Sequence, residues 1–106
     1  MGYAKERGKL EKLLEKVTGL HAHDDKSLTV ITDIFDQYSH TVRILKNKNE
    51  TLFMALYQED LAAVKASKKV LKESVYGDDL QTIFLKYRDT LAAAIEKTIQ
   101  VSKESN

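Results

Sequence analysis

Residues 28–45 read LTVITDIFDQYSHTVRIL, and the spacing of their apolar side chains decides the fold. Leu28, Ile31, Phe35, Tyr38, Val42 and Leu45 step by three, four, three, four and three. That rhythm puts one apolar stripe along an amphipathic α-helix, with polar side chains on the other faces. Leu80, Phe84, Tyr87, Leu91, Ala94, Thr98 and Val101 alternate four and three in the same way.

Working outward, three more features complete a helical reading. The first helix is expected from about Tyr3 to Thr18, with Leu10, Leu13, Leu14 and Val17 inward. Gly19 then supplies a left-handed C′ residue, and Leu20 folds back onto Leu14. The second helix is expected over Ser27–Lys46, capped by Asp24 or Asp25. Asn47 with Glu50 has the form of a capping box for a third helix, Glu50–Tyr76. On it, Phe53, Tyr57, Leu61, Val64, Leu71 and Val75 share a face. Lys68 falls inside that face and Asp60 at its edge, so the seam is loose there or the helix starts near Glu59. Gly77 closes it. Asp78, three residues before Gln81, opens a fourth helix that reaches about Ser102.

Four helices with short connections fold most simply as an antiparallel up-down bundle, one all-α domain over residues 1–106. The alternative is a three-helix bundle with the N-terminal helix loosely attached. The chain lacks proline, so nothing forces a kink.

Composition narrows the function. With 42% hydrophobic and 31% charged residues, the chain has the make-up of a folded protein. Seventeen basic and sixteen acidic residues leave +1, which gives no global pull toward nucleic acid. There is no cysteine, which excludes disulfides, thiolate metal sites and thiol catalysis. No run approaches the roughly 20 apolar residues of a membrane span. Lys5, Glu6 and Arg7 make the N-terminus too charged for a secretory signal, so a cytoplasmic protein is expected.

Few residues suggest chemistry. His21, His23, Asp24 and Asp25 are four possible metal ligands in one loop, though a solvated turn with a capping aspartate explains the same letters. Asp33, Asp36 and His40 share one stripe of the second helix. The seam turns that stripe to water, whereas metal sites buried in bundles need inward ligands. No metal or other cofactor is therefore expected, and no serine lies in a nucleophile elbow. The glycines form no phosphate-cradling loop, and an enzyme is not expected.

Lys65, Lys69 and Lys72 lie on one flank of the third helix, with Lys68 between that flank and the core. This basic stripe suits an acidic partner, phosphate groups or anionic lipid. It has no interleaved aromatics, which argues against base stacking. Lys68 is expected to lay its stem along the seam. The aromatics on the seams are core residues.

Two resemblances to known families add to this. His40-Thr41-Val42-Arg43 looks like the His-x-x-Lys core of histidine phosphotransfer domains, four-helix bundles whose exposed histidine carries a phosphoryl group. Here Ile44-Leu45-Lys46 follows, where those domains have glycine and small residues. The stretch Ile31–Ile99 resembles PhoU-type helical domains. Asp36-Gln37-Tyr38-Ser39-His40 takes the place of their Glu-x-x-x-Asp-His, Glu59-Asp60-Leu61 starts the next helix, and Asp79-Leu80 through Ile95 resembles the last. That likeness implies regulation of phosphate transport. Bacteriocin immunity proteins are analogous in size and fold alone.

The expected function is that of a non-enzymatic bundle acting by protein–protein interaction, a regulator or adaptor. Its candidate face is Lys65, Lys68, Lys69 and Lys72, and its partner is a protein rather than nucleic acid. A homo-oligomer is compatible with the loose seam.

Overall fold

The computed structural model describes residues 3–74 and 79–104. Helix α1 spans Ala4–Thr18, and α2 spans Asp25–Lys48. Helix α3, residues 50–73, has three stretches: α-helix over Glu50–Ala55, a π turn over Leu56–Asp60 and α-helix over Leu61–Glu73. Helix α4 spans Leu80–Glu104. No strand occurs among the described residues.

The four helices form an antiparallel up-down bundle, and contacts at its two ends fix the arrangement. At one end Arg7 Nε donates to Ser102 Oγ at 3.1 Å and Arg7 Nη2 to the Ser102 carbonyl at 3.2 Å, so α1 begins where α4 ends. At the same end Lys48 Nζ lies 2.7 Å from the Glu6 carboxylate. At the other end Arg88 Nη1 donates to the Leu20 carbonyl at 2.7 Å. Gln81 clamps the α1–α2 loop there: its Nε2 donates to the His21 carbonyl and its Oε1 accepts from the His23 N–H, both at 2.7 Å.

The core follows the expected seams. Leu10, Leu13, Val17, Ile31, Phe35, Tyr38, Val42, Leu45, Phe84, Tyr87 and Leu91 are buried. Leu28, Leu80 and Val101 at the seam ends are half-buried. Each large apolar side chain removed from water contributes about 1.5–3 kcal/mol. Buried Thr98 satisfies its hydroxyl on the Ala94 carbonyl at 2.8 Å.

Several local expectations need correction. Gly19 is not left-handed: its φ is −81° and ψ −6°. Instead α1 tightens at its end, with Gly19 N–H donating to Lys16 O and Leu20 N–H to Val17 O, both 3.2 Å and three residues back. Asn47 does not cap α3, because α2 continues through Lys48. Asn49 does so, its side chain accepting from the Leu52 N–H at 3.2 Å. Asp24 caps α2 through the Ser27 N–H at 2.7 Å, as expected. Val75, Tyr76, Gly77 and Asp78 lie outside the described residues. Asp79 caps α4, accepting from Thr82 N–H at 3.1 Å and Thr82 Oγ1 at 2.6 Å.

The loose seam of α3 has a definite cause. Leu61 N–H donates to the Leu56 carbonyl, five residues back, the hydrogen bond of a π turn. In an uninterrupted α-helix Leu61 would sit about 80° around the axis from Phe53. One extra residue in the turn cuts the effective spacing to seven positions and the offset to about 20°. The core face is therefore Phe53, Leu56, Leu61 and Val64, all buried. Tyr57, expected inside, is half-buried and carries the Lys46 ammonium 4.6 Å above its ring centroid.

Candidate functional site

The π turn divides α3 into two parts with different neighbours. Glu50–Ala55 packs on α2, whereas Leu61–Glu73 packs on α4. Past the turn, α3 stands away from α2. A cleft of about 460 Å³ lies between them, lined by His23, Leu28, Ile31, Thr32, Lys68, Leu71, Lys72 and Tyr87.

The cleft has an apolar interior and a cationic rim. Leu28 and Ile31 come from α2, Leu71 from α3 and Tyr87 from α4. Lys68 spans the mouth, its Nζ 4.3 Å from the centroid of the Phe35 ring on α2. The stem thus runs along the seam and its charge rests on an aromatic face. Among the described residues neither Lys68 nor Lys72 has a salt-bridge partner, and no lining residue is acidic. His23 closes the end near the α1–α2 loop, its ring edge-on to Phe84 at 6.0 Å.

Tyr87 lies beneath α3. It lines the cleft and also a smaller groove of about 240 Å³ with Ala66, Ser67, Val70, Ile83 and Lys86 on the other side of the helix. The residue is 2% exposed, and no described group hydrogen-bonds to its hydroxyl. Burial, and then the negative charge of Asp36, push this phenol well above its ordinary range. Tyr38 is similar: burial and then the Asp60 carboxylate raise it, and its hydroxyl has no described partner. Asp60 sits at the last position of the π turn, where Lys97 Nζ lies 3.3 Å from both its carboxylate oxygens. Only Oδ1 is aligned as an acceptor.

The four lysines expected to act together are divided by the helix. Lys68 and Lys72 line the cleft, while Lys65 and Lys69 are exposed beyond it. Lys69 makes a solvent-exposed contact of 3.9 Å with Glu73, of a kind that contributes little to stability. The same stretch of helix carries Val70, 57% exposed and the single large exposed apolar side chain among the described residues. It had no place in the seam reading because it belongs to neither face of the bundle. Ala62, Ala63 and Ala66 are also exposed, so the outer face of Leu61–Glu73 joins short apolar side chains to a lysine edge.

The remaining candidates lie apart from this region. Asp33, Asp36 and His40 are exposed on α2. Asp33 Oδ2 accepts from Gln37 Nε2 at 2.6 Å. His21 is exposed, and the His21 and His23 backbone groups are held by Gln81. Among the described residues no three His, Asp or Glu side chains gather as a metal-binding group. No described helix is long and apolar enough to cross a membrane. Comparison with family models, with curated proteins and with solved structures finds no match, which leaves the PhoU-like resemblance on the residues quoted for it.

Proposed function

We propose that this protein acts without catalysis, as a helical bundle that recognises another protein through the exposed face of α3. The observation that carries this reading is Val70, 57% exposed on the same stretch of helix as the exposed Lys65 and Lys69, the stretch that leaves α2. An exposed branched apolar side chain with a cationic edge suits a partner segment that is both apolar and acidic. Nucleic acid is a poorer fit, because no aromatic side chain interleaves with the lysines. A regulator or adaptor works by such contact.

Affinity capture tests it. Wild-type protein and Lys65→Glu with Lys69→Glu are used as paired baits, with circular dichroism confirming equal helicity. A protein retained by the wild type and lost by the charge-reversed bait is the expected result. Equal capture by both baits rejects the face.

A second reading has His40 accept a phosphoryl group. Its exposed position in mid-α2 meets the first requirement of that chemistry. Incubation with acetyl phosphate would then add one acid-labile phosphoryl mass that His40→Gln abolishes. An unchanged mass removes the reading.

A further inference from the structure

We propose that the cleft between α2 and the second half of α3 is a binding site for a linear amphiphile with a carboxylate head, its chain among Leu28, Ile31 and Leu71 and its head between Lys68 and Lys72. This goes beyond the protein-binding reading and does not rest on it, since that reading uses the outer face with Lys65, Lys69 and Val70.

Three observations converge. First, the space has the size and character of a small-molecule site. About 460 Å³ falls within the usual range for ligand pockets, which are mostly apolar with a few polar groups. Second, the charge is one-sided. Two ammonium groups stand at the rim without a described salt-bridge partner, and the lining has no carboxylate. Asp36 is the acidic group whose charge reaches Tyr87; it is exposed on α2 and does not line the cleft. Third, Tyr87 lines the cleft, and its hydroxyl is buried with no hydrogen-bond partner among the described residues. A buried donor left unmade is costly, and a ligand oxygen would satisfy it. Thr32 and His23 offer two further polar atoms at the walls.

The sign of the head group follows from the rim. An anion gains charge-assisted hydrogen bonds from both lysines. A cation is repelled by them. A neutral alcohol keeps the apolar contacts and loses the charged ones. The register shift at Leu56–Asp60 is what makes the space: without it, the Lys68–Lys72 stretch would present a different face to α2.

The test is a titration of the full chain with sodium decanoate below its micellar range, followed by calorimetry and by NMR of the ¹⁵N- and methyl-labelled protein. Decanol, decyltrimethylammonium and inorganic phosphate are run in parallel. The expected result is saturable one-to-one binding of decanoate, with shifts at Ile31, Leu71 and Tyr87. Decanol should bind about tenfold more weakly, the cation and phosphate not measurably. Lys68→Gln with Lys72→Gln should weaken decanoate about tenfold or more, and Tyr87→Phe should weaken it severalfold, with helicity retained. Non-saturating binding, equal affinity for decanoate and decanol, or shifts that avoid Ile31 and Leu71 would overturn the proposal. Binding of inorganic phosphate as tight as decanoate would also overturn it, since that would mark an anion site without a chain pocket.

Discussion

Lys68 Nζ of α3 stands 4.3 Å from the centroid of the Phe35 ring of α2, and this contact crosses the mouth of the cleft. It joins two helices where their backbones have already parted. A cation over an aromatic face contributes about 0.5–1 kcal/mol at a partly exposed site. A double-mutant cycle with Lys68→Gln and Phe35→Leu should therefore give a coupling of about 0.5–1 kcal/mol in urea unfolding. Additive losses would show that the ammonium and the ring are neighbours without mutual attraction.

The π turn sets which side chains of α3 reach the core. Deleting the exposed Gln58 removes the extra residue, so the turn should become ordinary α-helix with Leu61 and Val64 still on the buried face. Inserting one alanine after Gln58 should instead rotate everything beyond it by about 100° and take Leu61 and Val64 out of buried positions, with a loss of about 3–6 kcal/mol from those two side chains. Thermal denaturation of both variants checks the contrast. Equal losses from the deletion and the insertion would mean that the turn does not absorb one residue of register.

Tyr38 and Tyr87 bury hydroxyls without described partners. Removing such a hydroxyl relieves a desolvation cost, so Tyr38→Phe should be neutral or stabilising by up to about 1 kcal/mol. Burial, followed by the nearby carboxylates Asp60 and Asp36 respectively, raises both phenols in the folded state. The sign follows: stability from these groups is complete below the unfolded tyrosine pKa near 10 and is lost as pH climbs above it. Alkaline titration of phenolate absorbance should show two tyrosines that ionise only as the fold is lost. Their titration with the far-ultraviolet signal intact would contradict this.

Asp24 and Asp79 cap α2 and α4, and hydrogen bonds from Ser27 and Thr82 hold both carboxyls below their ordinary value of 3.8. A depressed folded pKa means stability that is present above the unfolded value and fades as pH falls below it. Asp24→Ala should therefore be less stable than wild type at neutral pH, with the gap narrowing once the pH drops under 3.8. Unfolding curves at neutral and acid pH make the comparison. A gap independent of pH would show that the charge of the cap does not matter.

The seams of α2 and α4 were legible because each keeps one register from end to end. Phe35, Tyr38, Phe84 and Leu91 are buried where the three-and-four rhythm puts them. Helix α3 was legible at Phe53, Leu61 and Val64, which are buried as expected, but not at Leu56 and Tyr57. Its core steps run Phe53, Leu56, Leu61, Val64, and the interval of five between Leu56 and Leu61 belongs to no α-helical template. The misfit of Asp60 was the trace of that turn in the sequence, whereas Lys68 stays on the seam and rests its charge on Phe35. The α3 cap was misassigned by two residues, to Asn47 instead of Asn49, because several polar residues compete at that helix end and backbone geometry chooses among them. Two features had no local signal. The cleft depends on how far α3 leans from α2, and the Gln81 clamp joins residues nearly 60 positions apart. Val70 was visible as an apolar letter off the seam, and it is exposed there.

Photo-crosslinking tests the recognition face most directly. A photoreactive amino acid is placed at Val70 in one variant and at His40, on the exposed face of α2, in another. Both are expressed in the native cells and irradiated. Recognition through α3 requires a higher-mass adduct from position 70, absent from position 40 and suppressed when Lys65 and Lys69 are changed to glutamate. An adduct from position 40 with none from position 70 would contradict it and would move the partner to α2.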